Sequence, residues 1–250
     1  NSRAYATYFH SRRASGPGDH PGPIEGRPTA RQSTVTVRTW RPERDRHILV
    51  VLDTGRTSAG RVGDVPRLDA AMDATLLLTA LASRAGDRVD LLAYDRRTRA
   101  QVQGRSAGDV LPAVVNALAP LEPELVETDA RGLSAAILKS APRRSLIVLI
   151  TGLDAAPVEE GLLPVLPQLT RRHTVVVASV ADPYIEKMST GRGTVDAVYE
   201  AAAGTQAQAQ RRRTAEKLQR HGVTVVDATP EKLAPALADA YLALKAAGRL

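Results

Sequence analysis

The sequence predicts a three-layer α/β domain with a doubly wound, mostly parallel sheet, and three observations carry that prediction. Residues 47–52, 144–151 and 173–180 are short apolar runs of strand length with polar residues at their ends, as in strands buried on both faces. Helix-length segments lie between and around them, and strand alternating with helix requires a parallel sheet covered on both sides. A chain of 250 residues, 43% hydrophobic and 24% charged, can bury a core of that size and is not disordered as a whole.

Taken in order, residues 8–32 hold Gly16, Pro17, Gly18, Pro21, Gly22, Pro23, Gly26 and Pro28 without a hydrophobic period, which predicts an irregular loop over another surface. Residues 35–40 alternate with period two and read as an edge strand, so residues 1–46 form an N-terminal segment and 47–250 the α/β domain. The run from His47 ends in Asp53. Residues 69–84 form a helix closed by Gly86; 88–94 is a strand, and 98–102 its short antiparallel partner. Ser106 opens a helix that Pro120 stops, and Asp129 caps another that reaches 141. After the second buried strand, residues 157–171 are helical with Pro164 and Pro167 breaking them. The third buried strand precedes a long helix, 194–221, ended by Gly222. A last strand at 223–227 and a helix opened by Pro230 complete the chain.

The formal charge of +7 is uneven. Nine Arg and four acidic residues in 1–46 give that segment +5, and the other 204 residues carry +2. A basic arm can meet phosphate or an anionic lipid surface, yet only eight aromatic residues leave few platforms for stacking bases, which argues against nucleic acid. Absence of Cys excludes disulfides, thiolate metal sites and a Cys nucleophile. The longest apolar runs, 145–151 and 74–82, fall short of the roughly 20 residues that span a bilayer. The chain starts at Asn1 without a leader, which predicts a processed chain or a fragment, cytoplasmic or, if an upstream anchor exists, at the cytoplasmic face of a membrane.

In an open parallel sheet, ligands bind beyond the carboxyl ends of the strands. Three segments matter there: Asp53-Thr54-Gly55-Arg56-Thr57, Glu127-Thr128-Asp129 and Thr151-Gly152-Leu153-Asp154. They resemble, imperfectly, the metal-ion-dependent adhesion site of von Willebrand factor A domains, where Asp-x-Ser-x-Ser, a Thr and an Asp hold a hard divalent cation. Gly55 stands for the first Ser, Thr57 for the second, and Gly152 for the acid after Thr151, leaving Asp154 two places later. The resemblance implies either weak Mg²⁺ binding through Asp53, Thr57 and Asp154, or a site turned into a hydrogen-bonded loop. A partner surface is expected on 53–66, 127–132 and 152–158, with Arg56, Thr128, Asp129 and Arg131 as contacts, because all three loops are expected to leave strand carboxyl ends.

The N-terminal segment makes the resemblance more specific. Phe9, Ser11, Arg13, Pro17-Gly18-Asp19, Ile24-Glu25, Arg27, Thr29-Ala30-Arg31, Val37-Arg38 and Glu43-Arg44 are similar to the signature of the bacterial family called domain of unknown function 58. Arg12, Ala14, Ser15, Gly22 and Gly26 depart from it, standing where the family usually has Leu, Glu, Tyr, Arg and Trp. The resemblance implies a von Willebrand factor A-like domain at the cytoplasmic face of a bacterial membrane, attached only through segments absent from this chain. It also implies partnership with a MoxR-type AAA+ ATPase in assembly or maturation of other proteins, and it carries no catalytic residue.

An enzyme reading competes. Asp53 could act as a hydrolase or phosphatase nucleophile of the Asp-x-Asp-x-Thr kind, but Gly55 stands where the general acid is needed. No phosphate-cradling Gly-rich loop occurs. His47 and His173 start buried strands and His221 ends a helix, so they read as structural; His10 and His20 read as solvated. Arg211-Arg212-Arg213 with Lys217 and Arg220 forms a basic helix stripe, read as a solvated face or a contact for an acidic partner.

Overall fold

Alternation along the central strand sets the architecture seen in the computed structural model, which describes residues 10–14, 36–40, 46–63, 65–189 and 195–250. The chain divides into two units, residues 1–45 and 46–250. In the first, β1 (His10–Ala14) pairs antiparallel with β2 (Thr36–Trp40), His10 opposite Trp40 and Ala14 opposite Thr36. The irregular loop expected over 8–32 therefore contains a strand. No apolar period marks it, because its order comes from backbone pairing with a segment more than 20 residues away. Most of the N-terminal signature, including Phe9 and Asp19, lies outside the described residues, as does His20.

The second unit is built on a six-stranded sheet. Its strands are β3 (His47–Asp53), β6 (Arg88–Tyr94), β7 (Thr98–Val102), β8 (Leu146–Ile150), β9 (Thr174–Val180) and β10 (Thr224–Ala228), in the spatial order β10-β9-β8-β3-β6-β7. All neighbours are parallel except β6 and β7. Between β3 and β6 come a one-turn helix, α1 (Arg56–Ala59), a two-residue pair, β4 (Arg61–Val62) with β5 (Val65–Pro66), and the long α2 (Arg67–Arg84). The remaining helices are α3 (Val110–Leu118), α4 (Ala130–Ser140), α5 (Leu163–Thr170), α6 (Pro183–Met188), α7 (Val195–Arg220) and α8 (Pro230–Ala246).

Two cores flank the sheet. Ile48, Val50 and Leu52 pack with Leu78 of α2, Val114 of α3 and Leu237 of α8; Leu49 and Val51 point the other way, to Ile137 of α4, Leu166 of α5 and Leu218 of α7. Every residue from Ile48 to Leu52 is fully buried, and so are Leu146, Val148, Ile150, Val175 and Val177, as continuous apolar runs demand. Each such side chain contributes about 1.5–3 kcal/mol by leaving water. The three-layer, mostly parallel α/β fold is thus the one the sequence predicts.

Local departures have local causes. The helix expected from Ser106 starts at Val110, because the Ser106 hydroxyl binds Asp109 Oδ2 at 2.6 Å instead of capping a first turn. Pro164 and Pro167 do not break their helix. Residues Pro157–Leu162 run with π-helical bonding and lead straight into α5, with Pro164 near its start and Pro167 inside it. The helix α6 was not apparent from the sequence; Pro183 opens it and Asp182 caps it by accepting from Tyr184 N at 2.9 Å.

Candidate functional site

The strand order reverses beside β3: the chain goes from β3 out to β6 and returns to β8 on the other side. This switch point leaves a crevice at the carboxyl ends, where Asp53 closes β3 and Thr151 follows β8. Asp53 is in phase with Leu49 and Val51 and so faces the α4 side of the sheet.

Only 4% of Asp53 is exposed, and four donors hold its carboxylate. Gly55 N (2.9 Å) and Thr128 Oγ1 (2.6 Å) donate to Oδ1; Thr57 Oγ1 (3.1 Å) and Thr151 Oγ1 (2.5 Å) donate to Oδ2. Ser58 Oγ donates to the Asp53 carbonyl, tying down α1. A buried carboxylate needs such donors, because an uncompensated charge would cost several kcal/mol. Asp53 is therefore the hub of three loops. The Thr128 hydroxyl, expected on the partner surface, is turned inward onto it. Thr151, given no role from sequence, is the third hydroxyl donor.

Both glycines of the altered motif have their space filled from elsewhere. A Cβ on Gly55 would collide with Thr128 Oγ1 and stand 2.9 Å from the Val126 carbonyl oxygen, so Thr128 supplies the hydroxyl that a Ser at 55 would otherwise bring. At Gly152 a Cβ would stand 2.8 Å from Asp154 Oδ2 and 3.1 Å from Thr57 Cβ. Asp154 thus folds back onto the ground of the missing acid, with Arg67 3.8 Å from its Oδ2.

The segment before α4 was expected to leave a strand, but it links α3 to α4. Backbone bonds bring it to the same edge: Arg56 N donates to Val126 O (2.8 Å), Glu124 N to Thr54 O (2.8 Å) and Asp129 N to Asp95 O (2.9 Å). Asp129 caps α4 by accepting from Arg131 N at 3.1 Å, while the Arg131 side chain is exposed. Arg56 forms an ion pair with Glu127, both more than half exposed. Below them Asp95, buried, binds Arg99 at 2.7 Å and accepts from Thr54 Oγ1 at 3.1 Å. Burial pushes the Asp95 carboxyl up, but Arg99, the N–H groups of Arg96 and Arg97, and the Thr54 hydroxyl more than offset it and hold it below its usual range. Burial and the charges of Asp129 and Asp95 push the Tyr94 hydroxyl the other way, upward.

Among the described residues no three His, Cys, Asp or Glu side chains converge as metal ligands. A hard cation such as Mg²⁺ takes about six oxygens. Asp53, Thr57, Thr128 and Asp154 offer hydroxyl and carboxylate oxygens of the right kind, with one carboxylate already saturated by four donors and the other beside Arg67. The donor chemistry fits a water-rich cation held weakly, through Thr57 and Thr128 with Asp53 and Asp154 near.

Outside this edge, His47, read as structural, and part of the basic helix stripe hold neighbouring elements together. His47 Nε2 meets Asp90 at 2.9 Å and its Nδ1 meets Ser145 Oγ at 2.8 Å, a Ser-His-Asp line at the opposite, amino edge of the sheet. Ser145 is 2% exposed and also lies 2.8 Å from the Arg143 carbonyl, so it locks strand starts together. Arg211 leaves the basic stripe: it pairs with Asp227 at 2.6 Å and reaches Ser179 Oγ and the Val180 carbonyl, joining α7 to β9 and β10. Lys217 pairs with Glu159 at 2.6 Å.

Comparison with known proteins follows the same lines. The sequence matches the family described as "Protein of unknown function DUF58" over residues 11–226. No curated protein matches it. Similar solved structures include a mutant of the PilB minor pilin from Streptococcus sanguinis, 13% identical over 84% of this chain and 64% of that one, with a TM-score of 0.52. The SpRpn10 VWA domain is 13% identical over 77% of this chain and 93% of that one, TM-score 0.48. An aerotolerance-related membrane protein from Bacteroides fragilis is 12% identical over 78% and 99%, TM-score 0.46. Identities this low speak to the fold alone. Among the described residues no helix is long and apolar enough to cross a membrane. With the family matched along most of its length, the chain belongs to the DUF58 proteins, its larger unit built on a mostly parallel six-stranded sheet.

Proposed function

We propose that the chain is a non-enzymatic interaction module whose carboxyl sheet edge docks a partner protein. The observation that carries this reading is the saturated Asp53 carboxylate. A nucleophilic or acid-base carboxylate needs a lone pair or a proton to give to a substrate, whereas both oxygens of Asp53 are spent on joining three loops. The joined loops form a rigid platform bearing Arg56, Glu127, Asp129 and Arg131, mixed in sign and suited to a specific polar surface. Family membership supports a MoxR-type AAA+ ATPase as the partner, in assembly or maturation of other proteins at the cytoplasmic face of the membrane.

The test is a pull-down of the purified ATPase by the intact chain with ATP, ADP or no nucleotide, alongside turnover of p-nitrophenyl phosphate. Nucleotide-dependent capture without turnover is the expected result. Turnover abolished by Asp53→Asn would establish the hydrolase instead.

A further inference from the structure

Beside Asp53 lies a cavity of about 400 Å³ between α4 and the π-helical turn Pro157–Leu162. Its floor is apolar: Leu133, Leu149, Val158 and Leu162 line it, each less than a tenth exposed. Its charged groups are three carboxylates, Asp53, Glu127 and Glu160, against one guanidinium, Arg56. Arg56 is taken by Glu127. Asp53 is held by hydroxyls and an N–H without a cation, and Glu160 has no ion-pair partner among the described residues. The wall is itself unusual, since π-helical turns are rare and recur at functional sites.

An apolar floor beside an unpaired carboxylate, Glu160, matches one kind of side chain, a long hydrocarbon stem with a cation at its tip. We propose that this cavity receives a lysine or arginine side chain of the partner protein, the stem packing on Leu149 and Val158 and the charge meeting Glu160. The inference rests on the docking edge described above and names what that edge recognises. An acidic side chain would be repelled there unless a divalent cation came between. A plain apolar side chain would leave Glu160 without a partner.

The experiment is a methyl-resolved NMR titration of the intact chain with Nα-acetyl-lysine methylamide. Comparison probes are the norleucine analogue, which keeps the stem and lacks the charge, the glutamate analogue with Mg²⁺, and spermidine. The lysine probe should shift the methyls of Leu133, Leu149, Val158 and Leu162 and bind about tenfold tighter than norleucine, the scale of a charge-assisted contact. Glu160→Gln, at an exposed position, should weaken the lysine probe severalfold and leave norleucine unchanged. Equal binding of norleucine, tighter binding of glutamate with Mg²⁺, or no lysine shift at tens of millimolar would each overturn the proposal. Spermidine binding tenfold tighter than lysine would reassign the cavity to a free polyamine. Partner capture that survives a failed titration would leave the docking edge standing without this cavity, and a positive titration without capture would do the reverse.

Discussion

Substituting Gly55 tests the reasoning about the Asp53 hub most sharply. Gly55 has φ −79° and ψ −169°, a conformation open to any residue, so only space requires glycine there. In Gly55→Ala the new Cβ meets Thr128 Oγ1 and lies 2.9 Å from the Val126 carbonyl oxygen, and the second atom is backbone. Overpacking of this kind costs about 1–3 kcal/mol. Thr128→Ala removes one hydrogen bond to a carboxylate, a loss of roughly 1.5–3 kcal/mol. The double variant lacks the hydroxyl responsible for the worst contact, so its loss should fall short of the summed single losses by about 1 kcal/mol. Urea unfolding read by far-UV circular dichroism gives all four values, and in a unit of this size each kcal/mol moves Tm by about 2–4 °C. Strict additivity, or a neutral Gly55→Ala, would show that Thr128 does not fill the space of the missing side chain.

Charge reversal at Arg56 and Arg131 should weaken ATPase binding by about tenfold while leaving Tm unchanged, since exposed pairs contribute roughly 0–1 kcal/mol to folding; biolayer interferometry and a thermal melt check the two halves. Arg211→Ala should cost about 1–3 kcal/mol by leaving the buried Ser179 hydroxyl and the Val180 carbonyl without their donor, measured by urea unfolding, whereas Arg212→Ala and Arg213→Ala, at exposed positions, should be silent. His173 is buried with neither ring nitrogen hydrogen-bonded among the described residues, and burial, then the charges of Arg172 and His47, hold it below its ordinary 6.5. The unfolded chain therefore binds this proton more readily. Stability from His173 is complete above about pH 6.5 and declines as the pH falls below it, and His173→Phe should flatten that decline in a pH series of urea midpoints. Calorimetry should find Mg²⁺ binding in the millimolar range or no heat at all, and submicromolar binding would contradict the weak site inferred from its oxygens.

The sheet was legible because burial on both faces writes itself as uninterrupted Ile, Leu and Val from 48 to 52 and 146 to 150. Asp53 was legible as the polar residue ending such a run, and Asp129 as a helix cap. The inward Thr128 was not, because its position depends on an empty Cβ site at Gly55, 73 residues earlier in the chain. The signal available was the pairing itself: a glycine where a hydroxyl is usual, with a spare Thr in another loop of the same edge. Arg211 looked like one of three equal arginines, since no local pattern reveals its partner Asp227 on another element. The strand at His10–Ala14 had no apolar alternation to betray it, and the π-helical turn reads as an ordinary helix with too many prolines.

Hydrogen-deuterium exchange on the intact chain, free and bound to the MoxR-type ATPase, tests the central claim most directly. The account predicts added protection in residues 53–63, 127–132 and 152–162, on the carboxyl edge of the sheet, with α7 and the amino edge around His47 and Ser145 unchanged. Protection confined to α7 around Arg212 and Arg213, with the three loops unaltered, would contradict it.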